Sequence, residues 1–312
     1  MEGSGGRSRQ AFNIMQSRRP HPLSTGSTFP RQLAASHGRG FYCPLCRQKL
    51  SFEQRECPNC EGALLFDSAS LKFARLEEGN SCDNRAIIGC NWSVDDPGRY
   101  CSSCSLNRTI PNLSFPRNVL LWRRVEEAKR RLIYDLRRLR LPLVSRTGAA
   151  IAFDLLTEEA GPVLTGHLSG VITLNIVEAD DVERESRRTA FREPYRTLLG
   201  HFRHEVGHFY WEMLVQGTKL QAPFDLIFGD ASQDYQEALK SYYDRTDRAF
   251  DRRGFISEYA TSHPWEDWAE TFAHLLHIAA TLDTLAGLPL ELDDRSKRVL
   301  QDPYLETIST RF

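Results

Sequence analysis

The placement of the cysteines is the feature that most constrains this chain: all 8 lie between residues 43 and 104 of a 312-residue sequence. A secreted protein held by disulfides rarely confines its cysteines to one part of the chain, whereas CxxC pairs are typical of metal sites in a reducing compartment. The chain has no apolar run of about 18 residues and no apolar segment behind its N-terminus. We therefore expect a cytoplasmic protein with no membrane partner.

The first four cysteines follow the pattern CxxC-x10-CxxC. Each of the turns "CPLC" and "CPNC" directs two thiolates at one tetrahedral metal ion, and a short hairpin brings two such turns together. The pattern predicts a structural zinc ribbon with the ligands Cys43, Cys46, Cys57 and Cys60.

The last four cysteines predict a second zinc site with less regular spacing. Only "CSSC" has the spacing of a metal-binding turn, so an alternative is that Cys82 or Cys90 is a buried thiol and the site has fewer ligands. We expect one or two structural Zn²⁺ ions in a double zinc-ribbon-like module. The ligands expected for the second ion are Cys82, Cys90, Cys101 and Cys104.

The two halves of the chain differ in charge as well as in cysteine content. Residues 1–141 hold 23 Lys and Arg against 13 Asp and Glu, whereas residues 142–312 hold 17 against 28. This asymmetry indicates two chemically different parts. Residues 1–40, rich in Arg, Ser, Gly and Pro, have the composition of a disordered basic tail. We predict this tail, the ribbon module (41–112), a connecting helix (113–141) and a second domain (142–312), in an α+β fold.

The segment before residue 142 predicts an amphipathic helix. Its apolar positions recur at helical spacing: Leu121, Val125, Ala128, Leu132, Leu136 and Leu139. Its other faces are basic: Arg123, Arg124, Lys129, Arg130, Arg131, Arg137, Arg138 and Arg140. Such a surface can bind nucleic-acid phosphates, but the acidic second half favours a solvated basic face that docks on it.

Residues 149–156 and 170–180 predict two β-strands, because they are rich in Ile, Val and Leu and are bounded by turn residues. Helical patterns dominate after them. We expect the second strand, at 169–177, to lie at the edge of a substrate cleft and to align an extended peptide.

The segment "HFRHEVGHFYW" carries the strongest chemical signal in the second half. On a helix, His204 and His208 are four apart and share a face, so both imidazoles can reach one zinc ion. Glu205 lies about 100° around the helix from His204, beside the metal. There it can take a proton from zinc-activated water and pass it to the leaving amine. His201, one turn earlier, is expected to be a structural histidine.

A catalytic zinc needs a third protein ligand and an open position for water. The metzincin arrangement is excluded, because Trp and Leu stand where it requires Gly and His. The later stretch "HPWEDWAETFAH" offers Glu266 and Glu270, four apart on one helix face. Glu266 as ligand, with Glu270 hydrogen-bonded to a ligand histidine, is one arrangement. Spacing leaves open the reverse assignment and a role for Asp267.

"HEVGH" followed by "YATSHPWEDWAETFAH" resembles the glutamate-type zincins, most closely the anthrax lethal-factor catalytic domain. The resemblance implies Tyr259 as the tyrosine that stabilises the transition state, Glu266 as the ligand and Glu270 as its supporting carboxylate. From about Phe41 to about Leu285 the chain also resembles the bacterial putative zinc-binding metallopeptidase family with an N-terminal zinc-ribbon domain. The matching stretches include "CNWSV", "LNRTIPNLS", "TGHLSGVITLNIVEADDVERE" and "EPYRTLLGHFRHEVGHFYW".

Motifs and resemblance together predict a zinc-dependent metallopeptidase with a zincin-like second domain, one catalytic Zn²⁺ and a peptide or protein as substrate. One rival hypothesis is a non-catalytic zinc-ribbon interaction protein that keeps the metal site for stability. Glu205 counts against it, because a structural zinc site does not need that carboxylate. A third hypothesis, nucleic-acid binding, is not favoured.

Overall fold

The computed structural model describes residues 40–94, 99–191, 196–247 and 249–288. Of the predicted basic tail, residues 1–39 lie outside the described residues. The described part belongs to one compact unit and has a mixed α+β fold, as predicted. None of the helices described in it is long and apolar enough to cross a membrane.

The described strands are short and the two longest helices have 23 residues each. The strands are β1 Phe41–Tyr42, β2 Lys49–Leu50, β3 Leu64–Asp67, β4 Lys72–Arg75, β5 Asn107–Thr109, β6 Ala152–Leu156, β7 Gly166–Leu168 and β8 Val171–Asn175. The helices are α1 Arg85–Ile88, α2 Pro116–Arg138, α3 Asp181–Phe191, α4 Leu198–Leu214, α5 Gln221–Phe228, α6 Tyr235–Asp244 and α7 Pro264–Ala286.

The N-terminal part is built from two antiparallel hairpins, β1–β2 and β3–β4. The residue after each of the first two CxxC turns has a positive φ, 65° at Arg47 and 56° at Glu61. This left-handed conformation, uncommon outside glycine, reverses the chain tightly behind the second cysteine of each turn. The two turns are therefore built alike, as a ribbon of two metal-binding turns requires.

Helix α2 confirms the predicted amphipathic helix, and its apolar stripe is buried throughout. The prediction of a solvated basic face is wrong at two positions, because Lys129 and Arg130 are 0% and 2% exposed. Lys129 forms a buried ion pair with Glu126 at 2.8 Å. Arg130 faces the second group of cysteines, whose negative charge raises the pKa of Arg130 although burial acts to lower it.

An aromatic cluster joins the hairpins to α2. The ring of Tyr134 lies 5.7 Å from that of Phe41, 5.2 Å from that of Phe52 and 6.0 Å from that of Phe66, measured between centroids. The Tyr134 hydroxyl also donates a hydrogen bond to Asp283 on α7 at 3.2 Å. The ribbon part, α2 and α7 therefore share one core.

A four-stranded sheet follows, in the order β5-β6-β8-β7. Strands β6 and β8 confirm the two predicted strands, but β8 ends at Asn175 and continues as a 3₁₀ turn, Ile176–Ala179. The prediction that this strand aligns an extended peptide is wrong, because β8 is paired on both sides, with β6 in parallel and with β7 in antiparallel orientation. The edge strand beside β8 is β7, formed because Ser169 and Gly170 both have positive φ and close a two-residue hairpin.

Candidate metal centre

The first four cysteines converge as predicted. The Sγ atoms of Cys43 and Cys60 lie 3.7 Å apart and those of Cys46 and Cys57 lie 3.5 Å apart. With Zn–S bonds of about 2.3 Å, a tetrahedral site separates its sulfur atoms by about 3.8 Å. The two distances fit such a site. All eight cysteines are free thiols in the structure, so none is removed from metal binding by a disulfide.

The second group is complete, since Cys82, Cys90, Cys101 and Cys104 are all buried and can hold one metal ion together. The Sγ of Cys90 lies 3.7 Å from that of Cys101 and 3.9 Å from that of Cys104. These distances again fit tetrahedral zinc. The geometry therefore does not support the alternative that Cys82 or Cys90 is a buried thiol outside the site.

Helix α4 presents the histidine motif. It begins at Leu198 after Thr197, whose side chain accepts a hydrogen bond from the Gly200 backbone N–H at 3.0 Å. This is the usual role of threonine at a helix N-cap, where backbone N–H groups lack partners within the helix. The cap fixes where the helix starts and therefore which face carries His204 and His208.

The structure brings His204, His208 and Glu266 together as one possible metal site. The two histidine Nε2 atoms lie 3.2 Å apart. Oε2 of Glu266 lies 2.9 Å from His204 Nε2, and Oε1 lies 3.5 Å from His208 Nε2. A tetrahedral zinc with bonds of about 2.0–2.1 Å separates its ligand atoms by about 3.3 Å, so the three side chains fit a zinc ion.

Glu270 supports this group from one turn further along α7. Its Oε1 lies 2.8 Å from Nδ1 of His204, which leaves Nε2 of the same ring directed at Glu266. Such a carboxylate fixes the orientation and tautomer of a ligand histidine. Of the alternatives that spacing left open, the geometry favours Glu266 beside both histidines and Glu270 behind one of them. Asp267 is not part of this group.

The pKa values of Glu266 and His204 are shifted in opposite directions by their contact with each other. Burial alone raises the pKa of Glu266, but the neighbouring His208 and His204 outweigh burial and hold this pKa well below its usual range. Burial alone lowers the pKa of His204, yet the Glu266 and Glu270 carboxylates raise it well above its usual range. Glu266 is therefore ionised, as a carboxylate must be to hold a dication.

Glu205 lies beside the group without joining it. Its side chain is buried, with the residue 8% exposed, and its Oε2 has no hydrogen-bond partner among the described residues. Burial raises the pKa of Glu205, while the charges of His204 and His208 act to lower it. A buried carboxylate oxygen with no partner in the protein is available to a water molecule or substrate.

Gly207, inside the histidine motif, allows α4 and α7 to approach closely. A Cβ added at Gly207 would lie 3.0 Å from the Cα of Ala269 and 3.3 Å from its carbonyl oxygen. The carbonyl oxygen of Gly207 accepts a hydrogen bond from Trp268 Nε1 at 2.9 Å. The glycine thus sets the distance between the helix with the histidines and the helix with Glu266.

Tyr259 lies beside the site in a 3₁₀ turn, Tyr259–Ser262, that leads into α7. Its ring centroid is 5.9 Å from that of His204. Burial first, and then the negative charge of Glu266, raise the pKa of Tyr259 well above its usual range. The hydroxyl therefore stays protonated and able to donate.

Three neighbours of the site were not predicted. The Tyr235 hydroxyl, on α6, donates to Glu266 Oε1 at 2.7 Å. The ring of Trp265 packs on that of His208 at 4.1 Å. On β7, the side chain of His167 is buried, and its ring centroid lies 6.3 Å from that of His208. No sequence spacing links Tyr235 or His167 to the motif. Trp265 directly precedes the candidate ligand Glu266, and this position could have predicted that it lies near the site.

His201 is partly buried, as expected for a structural histidine. Its Nδ1 lies 4.0 Å from Oε2 of the buried Glu178, which also pairs with Arg196 at 2.6 Å. Burial, followed by the positive charge of Arg196, lowers the pKa of His201 to about 4. The ring is therefore neutral at pH 7, and it lies outside the group that can hold the metal.

Comparisons with known proteins agree with this division of the chain. A family model described as "Putative zinc-binding metallo-peptidase" matches residues 118–310, and one described as "zinc-ribbon domain" matches residues 40–115. An uncharacterized protein of Mycobacterium tuberculosis and one of Mycobacterium bovis are each 44% identical over 257 residues. The match covers 80% of this chain and 75% of each relative. No solved structure matches the chain significantly.

Proposed function

The chain belongs to the "putative zinc-binding metallo-peptidase" family, and we propose that it hydrolyses peptide bonds with one catalytic zinc and two structural zincs. In this proposal, His204, His208 and Glu266 hold the catalytic ion, and two groups of four cysteines hold the structural ions. The substrate is a peptide or a protein.

The observation that carries the proposal is the position of Glu205. A zinc site that only stabilises a fold is closed by its ligands and needs no additional acid. Here a buried carboxylate with an unpartnered oxygen lies next to three ligands, one short of a closed tetrahedral site. The arrangement suits a proton acceptor next to an open coordination position.

Each residue has a distinct task in this mechanism. His204, His208 and Glu266 would hold the zinc ion, which would supply a Lewis acid that polarises the substrate carbonyl and makes water more acidic. Glu205 accepts the proton of the attacking water and passes it to the leaving amine. The Tyr259 hydroxyl donates to the oxygen of the tetrahedral intermediate. Glu270 keeps His204 in the tautomer that presents Nε2.

Strand β7 is the part of the sheet best placed to align a peptide. It is one of the two outermost strands of the sheet in the described chain, and His167 on it packs beside His208. An extended peptide can add to such an edge through backbone hydrogen bonds. Leu164 and Leu168 are 86% and 77% exposed next to this edge and offer apolar contacts.

Nucleic-acid binding has less support, because several arginines of α2 are engaged within the protein. Arg117 pairs with Asp180 at 3.0 Å, and Arg124 lies 3.5 Å from Asp181. Arg131 pairs with Glu53 at 2.6 Å. Phosphate binding would have to compete with these ion pairs.

The test compares wild type and Glu205→Gln on a library of peptides derived from a whole proteome. We expect the wild type to cleave, and the variant to lose at least about 100-fold in rate, the lower range for a general acid–base residue. Zinc content should stay the same, because Glu205 is not a ligand. Glu212→Gln, on the same helix and half-buried, is the matched control and should retain cleavage.

Two outcomes contradict the proposal. Cleavage that persists in Glu205→Gln with zinc retained would remove Glu205 from the mechanism. A zinc-loaded wild type that cleaves nothing in the library would favour the non-catalytic interaction protein.

A further inference from the structure

We propose that Tyr235 is a positioning residue that holds Glu266 as a one-oxygen ligand and so keeps a coordination position of the metal open. The proposal rests on the metal site assigned above, and not on the hydrolysis of peptides. Tyr235 belongs to α6, a helix that contributes no ligand to the group able to hold the metal.

The two oxygens of Glu266 have different surroundings. Oε1 accepts the hydrogen bond from the Tyr235 hydroxyl at 2.7 Å. Oε2 is buried, lies 2.9 Å from His204 Nε2, and receives no hydrogen bond from the described residues. The residue is 1% exposed, so bulk water does not satisfy the second oxygen. One oxygen is therefore occupied by a donor and the other is left for a cation.

The position of the Tyr235 ring is fixed by its neighbours. Its centroid lies 5.3 Å from that of His263 and 5.5 Å from that of Trp265, both nearly edge-on. Asp234, the residue before Tyr235, caps the N-terminus of α6 by accepting a hydrogen bond from the Glu237 backbone N–H at 2.9 Å. Trp265 also packs on His208. The Tyr235 hydroxyl is thus held in place by packing that also positions two of the ligands, His208 and Glu266.

The consequence follows from the chemistry of a carboxylate. Both oxygens of an ionised carboxylate can bind one metal ion, and doing so uses two coordination positions. A hydroxyl that donates to Oε1 draws electron density from that oxygen and occupies the direction of one of its two lone pairs. Oε2 then binds alone, and a tetrahedral ion held by His204 and His208 keeps its fourth position for water.

Cobalt reports on this position without any assay of catalysis. The cysteine sites are kept loaded with zinc, the histidine site is emptied with a chelator, and Co²⁺ is titrated into the full chain. Tetrahedral Co²⁺ absorbs visible light much more strongly than Co²⁺ with five or six ligands. We expect Tyr235→Phe to weaken Co²⁺ binding by about 10- to 100-fold, the usual cost of losing such a supporting hydrogen bond. Its visible absorption per bound ion should fall.

Tyr242→Phe is the matched control. Tyr242 lies on the same helix, is buried, and donates its hydroxyl to Glu258 at 3.2 Å rather than to a ligand. A purely structural role for a tyrosine hydroxyl would affect thermal stability in both variants alike. The control should therefore keep the wild-type affinity for Co²⁺ and the wild-type spectrum.

Two results would overturn the proposal. One is a Tyr235→Phe protein that binds Co²⁺ with the affinity and spectrum of the wild type, or whose changes Tyr242→Phe reproduces. The other needs no variant: cobalt-edge X-ray absorption of the wild type that shows both oxygens of Glu266 bound to the ion. Neither readout depends on peptide cleavage, so failure here and failure of the proposed peptidase activity are separate results.

Discussion

At the scale of single residues, His167 shows how the fold fixes a protonation state next to the metal centre. Its Nε2 accepts a hydrogen bond from the Gly170 backbone N–H at 3.1 Å, so that nitrogen carries no proton. Burial, and then the electrostatic effect of the neighbouring His208, lower the pKa of His167 to about 4. The unfolded chain binds a proton near pH 6.5.

This difference predicts a pH-dependent stability. The contribution of neutral His167 is fully present above pH 6.5 and is lost as the pH falls from 6.5 to 4, because only the unfolded state gains the proton in that range. The difference in unfolding free energy between wild type and His167→Gln should fall by up to about 3 kcal/mol as the pH is lowered through this range. Urea unfolding at several pH values measures this difference. It should be constant between pH 7 and 8, and a constant value down to pH 4 would contradict the assignment.

Part of the residue-level site can be predicted from the sequence, because helical geometry links residues that are close in number. The spacing of His204 and His208 places both on one face, and Glu266 and Glu270 follow the same rule on another helix. Tyr235 could not be predicted in this way. Its contact with Glu266 depends on how α6 packs near the start of α7, and no local pattern encodes that packing.

At the scale of elements, the metal centre depends on the close contact of α4 and α7. The histidines lie on one helix and Glu266 on the other, so their separation sets the size of the site. Gly207 permits this separation, and a side chain there meets the backbone of Ala269 rather than a flexible side-chain end. The glycine in "HEVGH" therefore acts through packing and not through backbone freedom.

Gly207→Ala should destabilise the protein and weaken the histidine site. Overpacking costs about 1–3 kcal/mol, and the gain in helix propensity returns at most about 1 kcal/mol. We expect a net loss of up to about 2 kcal/mol in urea unfolding and weaker zinc binding at the histidine site alone. Gly254→Ala, where an added Cβ meets only a carbonyl oxygen at 3.8 Å, is the control. Equal stability and zinc affinity in both variants would show that the contact does not matter.

The predicted peptide-aligning role of the second strand failed for a reason that also lies at this scale. The strand at 169–177 was expected to lie at the edge of the substrate cleft and to align a peptide, and no strand was predicted in "GHL" (166–168) before it. The hairpin through Ser169 and Gly170 makes β7 from these residues and moves β8 to the interior. Pairing with a neighbour, rather than propensity, decides a strand of three residues.

At the scale of the whole molecule, the cysteine-rich part is joined to the rest by buried contacts. Tyr134 of α2 lies among the aromatic rings of the hairpins and reaches Asp283 on α7. Arg130 lies buried against the second cysteine site, where its charge offsets that of the thiolates. A flexible tether between two independent modules would not bury such groups.

The division of charge in the sequence predicted that the basic helix would meet acidic residues of the second half. The ion pairs of Arg117 with Asp180 and of Arg138 with Asp283 agree with this expectation. The sequence did not indicate that Lys129 and Arg130 would be buried. A polar residue on a helix is assigned to the solvent face by default. The negatively charged thiolates and Glu126, together with a hydrogen bond from Lys129 to Asn107, make the burial of these two favourable.

The count of zinc ions per chain tests the central claim most directly, namely that two histidines of α4 and Glu266 of α7 form a metal site separate from the cysteine sites. Native mass spectrometry of the full chain should find three zinc ions in the wild type and two in His204→Ala. In the variant, the cysteine sites should stay occupied and the fold intact. Two zinc ions in the wild type, or three in His204→Ala, would contradict the claim.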